Sequence, residues 1–145
     1  MFGGIDMEKF INRKEYLDSL IKFKEVDVIK VVTGVRRSGK STLFKLYIKY
    51  LKSIGVKEEQ ITHINLEEIE YESLHDYKLL HDHIKNKLQK DKMNYIFIDE
   101  VQKCKDFEKA VDSLYVKKNI DVYITGSNAD MLSRRTCNTY ITEDI

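Results

Sequence analysis

Proline is absent from the 145 residues, and glycine is held to six. Without proline there is no stiff proline-rich linker, and no low-complexity stretch or internal repeat divides the chain. The glycines fall at Gly3, Gly4, Gly34, Gly39, Gly55 and Gly126, outside every segment with helix or strand periodicity. Only two cysteines occur, Cys104 and Cys137, without the paired spacing of a disulfide framework or a cysteine-built metal site. Reduced thiols in a cytoplasmic protein are the expectation. No run approaches about 18 consecutive apolar residues, and charged residues follow Met1-Phe2-Gly3-Gly4, so neither a membrane span nor a secretory leader is expected.

An excess of either charge is missing as well. Lys and Arg number 25 against 24 Asp and Glu, a net charge of +1, which lacks the bulk basic field of a non-specific nucleic-acid binder. Nucleic acid is thereby neither supported nor excluded. Arginine is confined to Arg13, Arg36, Arg37, Arg134 and Arg135, while lysine covers the solvated faces. Metal-ligand spacing is lacking among the histidines: His81 and His83 face different ways on a helix, and His63 and His75 stand alone, so surface histidines are expected. With 42% hydrophobic residues, nine Tyr and six Phe, the chain has material for one cored domain and no more.

Against these absences stands one dense pattern. Gly34-Val35-Arg36-Arg37-Ser38-Gly39-Lys40-Ser41 fills every fixed position of Gly, four residues, Gly-Lys-Ser/Thr. The spacing suits a strand-to-helix loop that turns its backbone N–H groups inward around a polyphosphate, a path the two glycines permit. Lys40 then supplies a point charge to the β- and γ-phosphates, Ser41 a hydroxyl for Mg²⁺, and the helix beginning near Lys40 its positive dipole end. The expected nucleotide-binding residues are Gly34, Val35, Arg36, Arg37, Ser38, Gly39, Lys40, Ser41 and Thr42. Arg36 and Arg37 either add positive field there or point to solvent. No Asn/Thr-Lys-x-Asp pattern for guanine occurs, so ATP with Mg²⁺ is the expected ligand.

The surrounding pattern supplies the context this loop needs. Residues 28–32 read as a buried strand before it; Leu43, Leu46, Tyr47, Tyr50 and Leu51 form one face of a helix after it, ended by Gly55 in a left-handed cap. A strand over 61–66, a helix over 76–90 through Leu80, Ile84 and Leu88, and a strand at Tyr95-Ile96-Phe97-Ile98 follow. Asp106-Phe107-Glu108 opens a helix carrying Val111, Leu114 and Tyr115, and Asn119 turns the chain into Val122-Tyr123-Ile124-Thr125. An amphipathic helix over 8–23 comes first. This alternation predicts an α/β fold, a mainly parallel sheet covered by helices on both sides. The expected divisions are an N-terminal helical segment (1–27), a phosphate-loop core (28–133) and a divergent tail (134–145).

The third strand delivers Asp99-Glu100 at its C-terminal end, where the phosphate loop also lies. Asp99 suits the Mg²⁺ shell through a water, because a hard cation takes oxygen ligands. Glu100 is the candidate base that orients the attacking water. Thr125-Gly126-Ser127-Asn128 closes the fourth strand with polar side chains beside the expected γ-phosphate, or simply as a helix cap.

Residues 34–42 together with Phe97-Ile98-Asp99-Glu100-Val101-Gln102, Phe107-Glu108-Lys109-Ala110-Val111 and Ile124-Thr125-Gly126-Ser127-Asn128-Ala129 resemble the AAA-type P-loop ATPases of archaea and bacteria that carry a C-terminal domain of unknown function. The likeness runs over about residues 13–133. It implies a three-layer AAA-type P-loop NTPase sheet with the phosphate-loop strand beside the fourth strand and a fifth strand flanking it. It also implies a γ-phosphate sensor, Asn128 or alternatively Ser127, and a first helix whose Arg13 and Tyr16 either touch adenine or merely pack. Lys40, Glu100 and Asn128 are thus the expected catalytic set, with Ser41 and Asp99 at the metal.

The likeness stops at Met131-Leu132-Ser133, so the fifth strand and the lid are expected to be missing. Codons for Arg134-Arg135-Thr136-Cys137-Asn138, read one base later, can encode Gly-Glu-Leu-Ala-Thr, which contains the Glu-Leu-Ala-Thr that members of that family carry here and suggests a frameshifted and truncated relative. Two functional readings follow: Mg²⁺-dependent ATP hydrolysis, or a non-catalytic nucleotide-binding fragment. A phosphate-loop strand too apolar for an edge and lacking its fifth-strand partner further predicts self-association.

Overall fold

The computed structural model describes residues 7–34, 39–127 and 139–142, with backbone alone for 7–13 and 139–142. Five strands, β1 (Ile29–Thr33), β2 (Ile61–Asn65), β3 (Asn94–Asp99), β4 (Ile120–Gly126) and β5 (Thr139–Thr142), form one sheet in the order β2-β3-β4-β1-β5. Every pairing is parallel. Helices α1 (Met7–Lys22), α2 (Lys40–Ser53), α3 (Tyr77–Lys85) and α4 (Phe107–Tyr115) complete the three layers.

Burial explains why the strand sequences read as they do. Every residue of β1, β3 and β4 is buried, so these strands lie between two helical layers and carry near-continuous apolar runs. The edge strand β2 alternates buried and half-buried residues instead. Side chains then sort by the strand period of two. Ile29, Val31, Ile96, Ile98, Val122 and Ile124 join the core that includes Leu80, Ile84 and Leu114 of α3 and α4. Val32, Tyr95, Phe97 and Tyr123 join the other, with Leu20 of α1 and Leu43, Phe44, Tyr47 and Leu51 of α2. That second layer is aromatic: Phe97 stacks on Tyr123 at 4.8 Å, and Phe44 meets Phe97 edge-on at 5.2 Å.

The α/β fold and strand order match expectation, but the missing fifth strand is corrected. Thr139–Thr142 lies parallel beside β1, in the register Ile29 to Thr139 and Val32 to Thr142. The physical reason is the one that made an unpaired β1 implausible: its backbone groups need partners on both sides, and Thr-Tyr-Ile-Thr is a strong strand former. The argument for self-association from an exposed β1 edge falls with it. Helix α3 is also shorter than expected, ending at Lys85 rather than 90. Beyond it the Asn94 and Asn119 side chains capture the chain, both amides donating to the Gln89 carbonyl at 2.9 and 3.0 Å. Gly55 follows α2 at φ 101, a left-handed conformation that other residues adopt at a cost. No helix among the described residues is long and apolar enough to cross a membrane.

Candidate functional site

Strand β1 ends at Thr33, and Gly34 leads into the loop whose Val35, Arg36, Arg37 and Ser38 lie outside the described residues. Gly39 closes the loop at φ 97, ψ 15, the left-handed region a side chain would strain, and α2 starts at Lys40. Its first turn has no acidic residue and its N-cap no side-chain hydrogen bond, so the opening backbone N–H groups and the dipole present positive potential. The Lys40 side chain turns back toward the ends of β1 and β4 and is only 3% exposed. Its Nζ donates to the carbonyls of Gly34 at 2.7 Å and Gly126 at 3.3 Å, and lies 3.4 Å from Glu100 Oε1.

The acidic pair is fixed by its neighbours in the sheet. Asp99, 1% exposed, accepts from Thr125 Oγ1 through Oδ1 at 3.0 Å, and its Oδ2 lies 2.7 Å from His63 Nε2. The same Thr125 hydroxyl accepts the Glu100 backbone N–H at 2.9 Å, so one fully buried oxygen serves both acidic residues. Glu100 itself sits at φ 54, ψ 50, a left-handed backbone rare outside glycine. That turn ends the run of β3 and redirects the side chain toward Lys40. Gln102 Nε2 donates to Glu100 Oε2 at 2.6 Å.

Gly39, Lys40, Ser41, Thr42, Asn65, Glu67, Asp99 and Glu100 line one cavity of about 300 Å³. Six of these eight are residues the motifs single out; Asn65 and Glu67, which follow from β2 lying beside β3, are not. A larger cavity of about 470 Å³ opens at the other end of the strands, lined by Val28, Ile120 and Asp121 among others. It has no glycine loop and no helix start among its lining residues, and the residues of the two motifs line the smaller one.

Other expectations meet mixed outcomes. Ser127 is exposed, and Asn128 lies outside the described residues. The Arg13 side chain is likewise outside them, while Tyr16 packs with Leu17 and Ile21 around Leu20, the packing alternative for the first helix. His63 is corrected from a surface residue to the partner of Asp99; its signal was position, two before the end of a strand that pairs with β3 in the register His63 to Phe97 and Asn65 to Asp99. Thr125 had a signal too, a hydroxyl closing an otherwise apolar strand. Only the β3–β4 adjacency shows which carboxylate it meets.

Bound Mg²⁺ takes one or two protein oxygens beside phosphate oxygens and waters. Ser41 and Asp99 on one cavity wall meet that small requirement. Both Asp99 oxygens already have protein partners, so its remaining acceptor capacity suits a metal-bound water better than direct ligation.

Comparison with known proteins follows the same lines. A family model described as an AAA domain matches residues 27–142. An uncharacterized protein of Haemophilus influenzae is 43% identical over 124 residues, which cover 85% of this chain and 31% of that protein. The chain thus spans under a third of that relative's length. The solved structure of C. elegans PCH-2 superposes with a TM-score of 0.53 at 16% identity, over 88% of this chain and 39% of that one, a likeness of fold.

Proposed function

This chain belongs to the AAA domain family, and from that premise we propose that it binds ATP with Mg²⁺ at residues 34–42 and hydrolyses it with Glu100 as the base. A nucleotide-binding ATPase-type domain is the function its family carries; the residue roles are our reading. The observation that carries it is the meeting of Lys40, Asp99 and Glu100 on one cavity at the start of α2. Lys40 exchanges the Gly34 and Gly126 carbonyls for phosphate oxygens, and the first turn of α2 holds the same anion. Ser41 and, through a bound water, Asp99 would hold the metal, which would neutralise phosphate charge. Glu100 accepts the proton of the attacking water as its oxygen bonds to the γ-phosphorus; the bond to the bridging oxygen breaks and its electron pair leaves with ADP. Asn128, with Ser127 as the alternative, senses the γ-phosphate.

Two variants test this in sequence. Lys40→Ala is expected to weaken Mg·ATP binding at least about 100-fold in calorimetry, with Glu100→Gln binding as wild type does but releasing phosphate at least about 100-fold more slowly. Equal ATP affinity for wild type and Lys40→Ala would overturn the site. Binding without phosphate release by the wild type would leave a nucleotide-binding module and overturn turnover alone.

A further inference from the structure

Gln102 has no part in the reading above, yet its amide nitrogen, at 2.6 Å, is nearer the Glu100 carboxylate than Lys40 is at 3.4 Å. Chemistry decides which end of the amide faces Glu100, since an ionised carboxylate only accepts and the NH₂ must therefore point to it. The Gln102 carbonyl is then left buried with no hydrogen-bond partner among the described residues. A buried acceptor without a donor disfavours this rotamer, whereas the charge-assisted bond to Glu100 favours it. Gln102 is placed by its backbone, not by this amide: it lies in the 3₁₀ turn Val101–Lys103, closed by the Lys103 N–H to the Glu100 carbonyl and anchored by buried Val101.

We propose that Gln102 is a positioning residue for hydrolysis at this site, its amide N–H fixing Glu100 Oε2 so that Oε1 faces Lys40 at the cavity both residues line. The proposal rests on the reading of Glu100 as base. Two restraints then act on that residue independently. Thr125 holds its backbone in the left-handed turn, and Gln102 holds its carboxylate.

Gln102→Met separates this from a structural role, because it keeps the length of the side chain and removes the N–H and the orphaned carbonyl together. The variant is expected to melt at or above the wild-type temperature and to bind Mg·ATP within about twofold of it. Its phosphate release should fall at least about tenfold in kcat with little change in KM. Added to Glu100→Gln, the same substitution should have no further effect, since it acts only through Glu100. A melting temperature clearly below wild type, unchanged phosphate release, or an equal loss in the Glu100→Gln background would each overturn the proposal. A wild type that binds Mg·ATP without releasing phosphate would overturn it together with the hydrolysis reading, a failure visible before any variant is made.

Discussion

Two buried lysines sit on neighbouring parts of this fold in opposite surroundings. Lys30, in β1, is wholly buried, with its Nζ 2.5 Å from Asp121 Oδ1 and a further bond to the Val26 carbonyl. Asp121 Oδ2 accepts the Glu25 N–H at 2.8 Å and the Tyr123 hydroxyl at 2.7 Å, and Tyr123 meets Tyr47 OH at 2.8 Å. Every charge has a partner, and the Lys30 ammonium also lies 5.3 Å from the Tyr123 ring. Burial raises the Asp121 carboxyl above its usual range, with Lys30 opposing, and raises the Tyr123 and Tyr47 phenols. Lys40 is almost as buried but is held by two backbone carbonyls and a carboxylate at 3.4 Å, and it faces a cavity. A lysine bonded to its carboxylate at 2.5 Å inside a closed network is fixed in place; one whose carboxylate lies at 3.4 Å, beside open space, is free to take a better anion.

The largest expected effect tests the architectural half. Asp121→Ala strands the Lys30 ammonium in the core and should cost about 3–5 kcal/mol in denaturant unfolding. Replacing both residues, Lys30→Met with Asp121→Leu, should recover part of that loss, because the apolar pair carries no buried charge but leaves the Glu25 N–H and the Tyr123 hydroxyl without Asp121. A loss under about 1 kcal/mol for Asp121→Ala would mean that water reaches Lys30 and the contrast with Lys40 is false.

A smaller effect tests the other half. Thr125→Val keeps the shape but leaves the Glu100 N–H without its acceptor and Asp99 Oδ1 without its donor, so a loss of about 1–3 kcal/mol is expected. Mg·ATP affinity should fall in parallel, with Thr125→Ser restoring both, read by calorimetry against Mg²⁺ concentration. Unchanged metal dependence in Thr125→Val would show that the acidic pair is positioned without it.

The smallest effect sharpens the comparison by removing a background. Burial, with Lys87 adding to it, holds the His83 imidazole below its ordinary 6.5. The unfolded chain therefore binds the proton more readily than the fold, so this group's contribution to stability is present above about pH 6.5 and lost as pH falls through its folded value. His83→Leu should narrow the gap in melting temperature between about pH 8 and about pH 5, the window where histidine titrates, and leave the value at the higher pH nearly unchanged. A gap as wide as in wild type would trace the acid sensitivity to the two clusters instead.

The sequence by itself determined what depends on neighbours along the chain. Residues 34–42 announce a phosphate site because one stretch of backbone must turn, donate and start a helix within nine residues. Strands β1, β3 and β4 are legible because burial on both faces demands near-continuous apolar runs. The Asp99-Glu100 pair is legible because it ends such a run. Tertiary structure decided the rest, for a reason specific to parallel sheets: adjacent strands are joined by long crossovers, so hydrogen-bond partners lie far apart in sequence. Lys30 and Asp121 are 91 positions apart, and Thr125 reaches Asp99 across 26. Nothing local marks Thr139–Thr142 as the partner of β1, since the demand for that strand arises from the unpaired backbone of β1, over a hundred residues earlier. Register, not motif, decided which hydroxyl and imidazole meet the two acidic residues, whereas the Gln102 amide lies only two positions from Glu100.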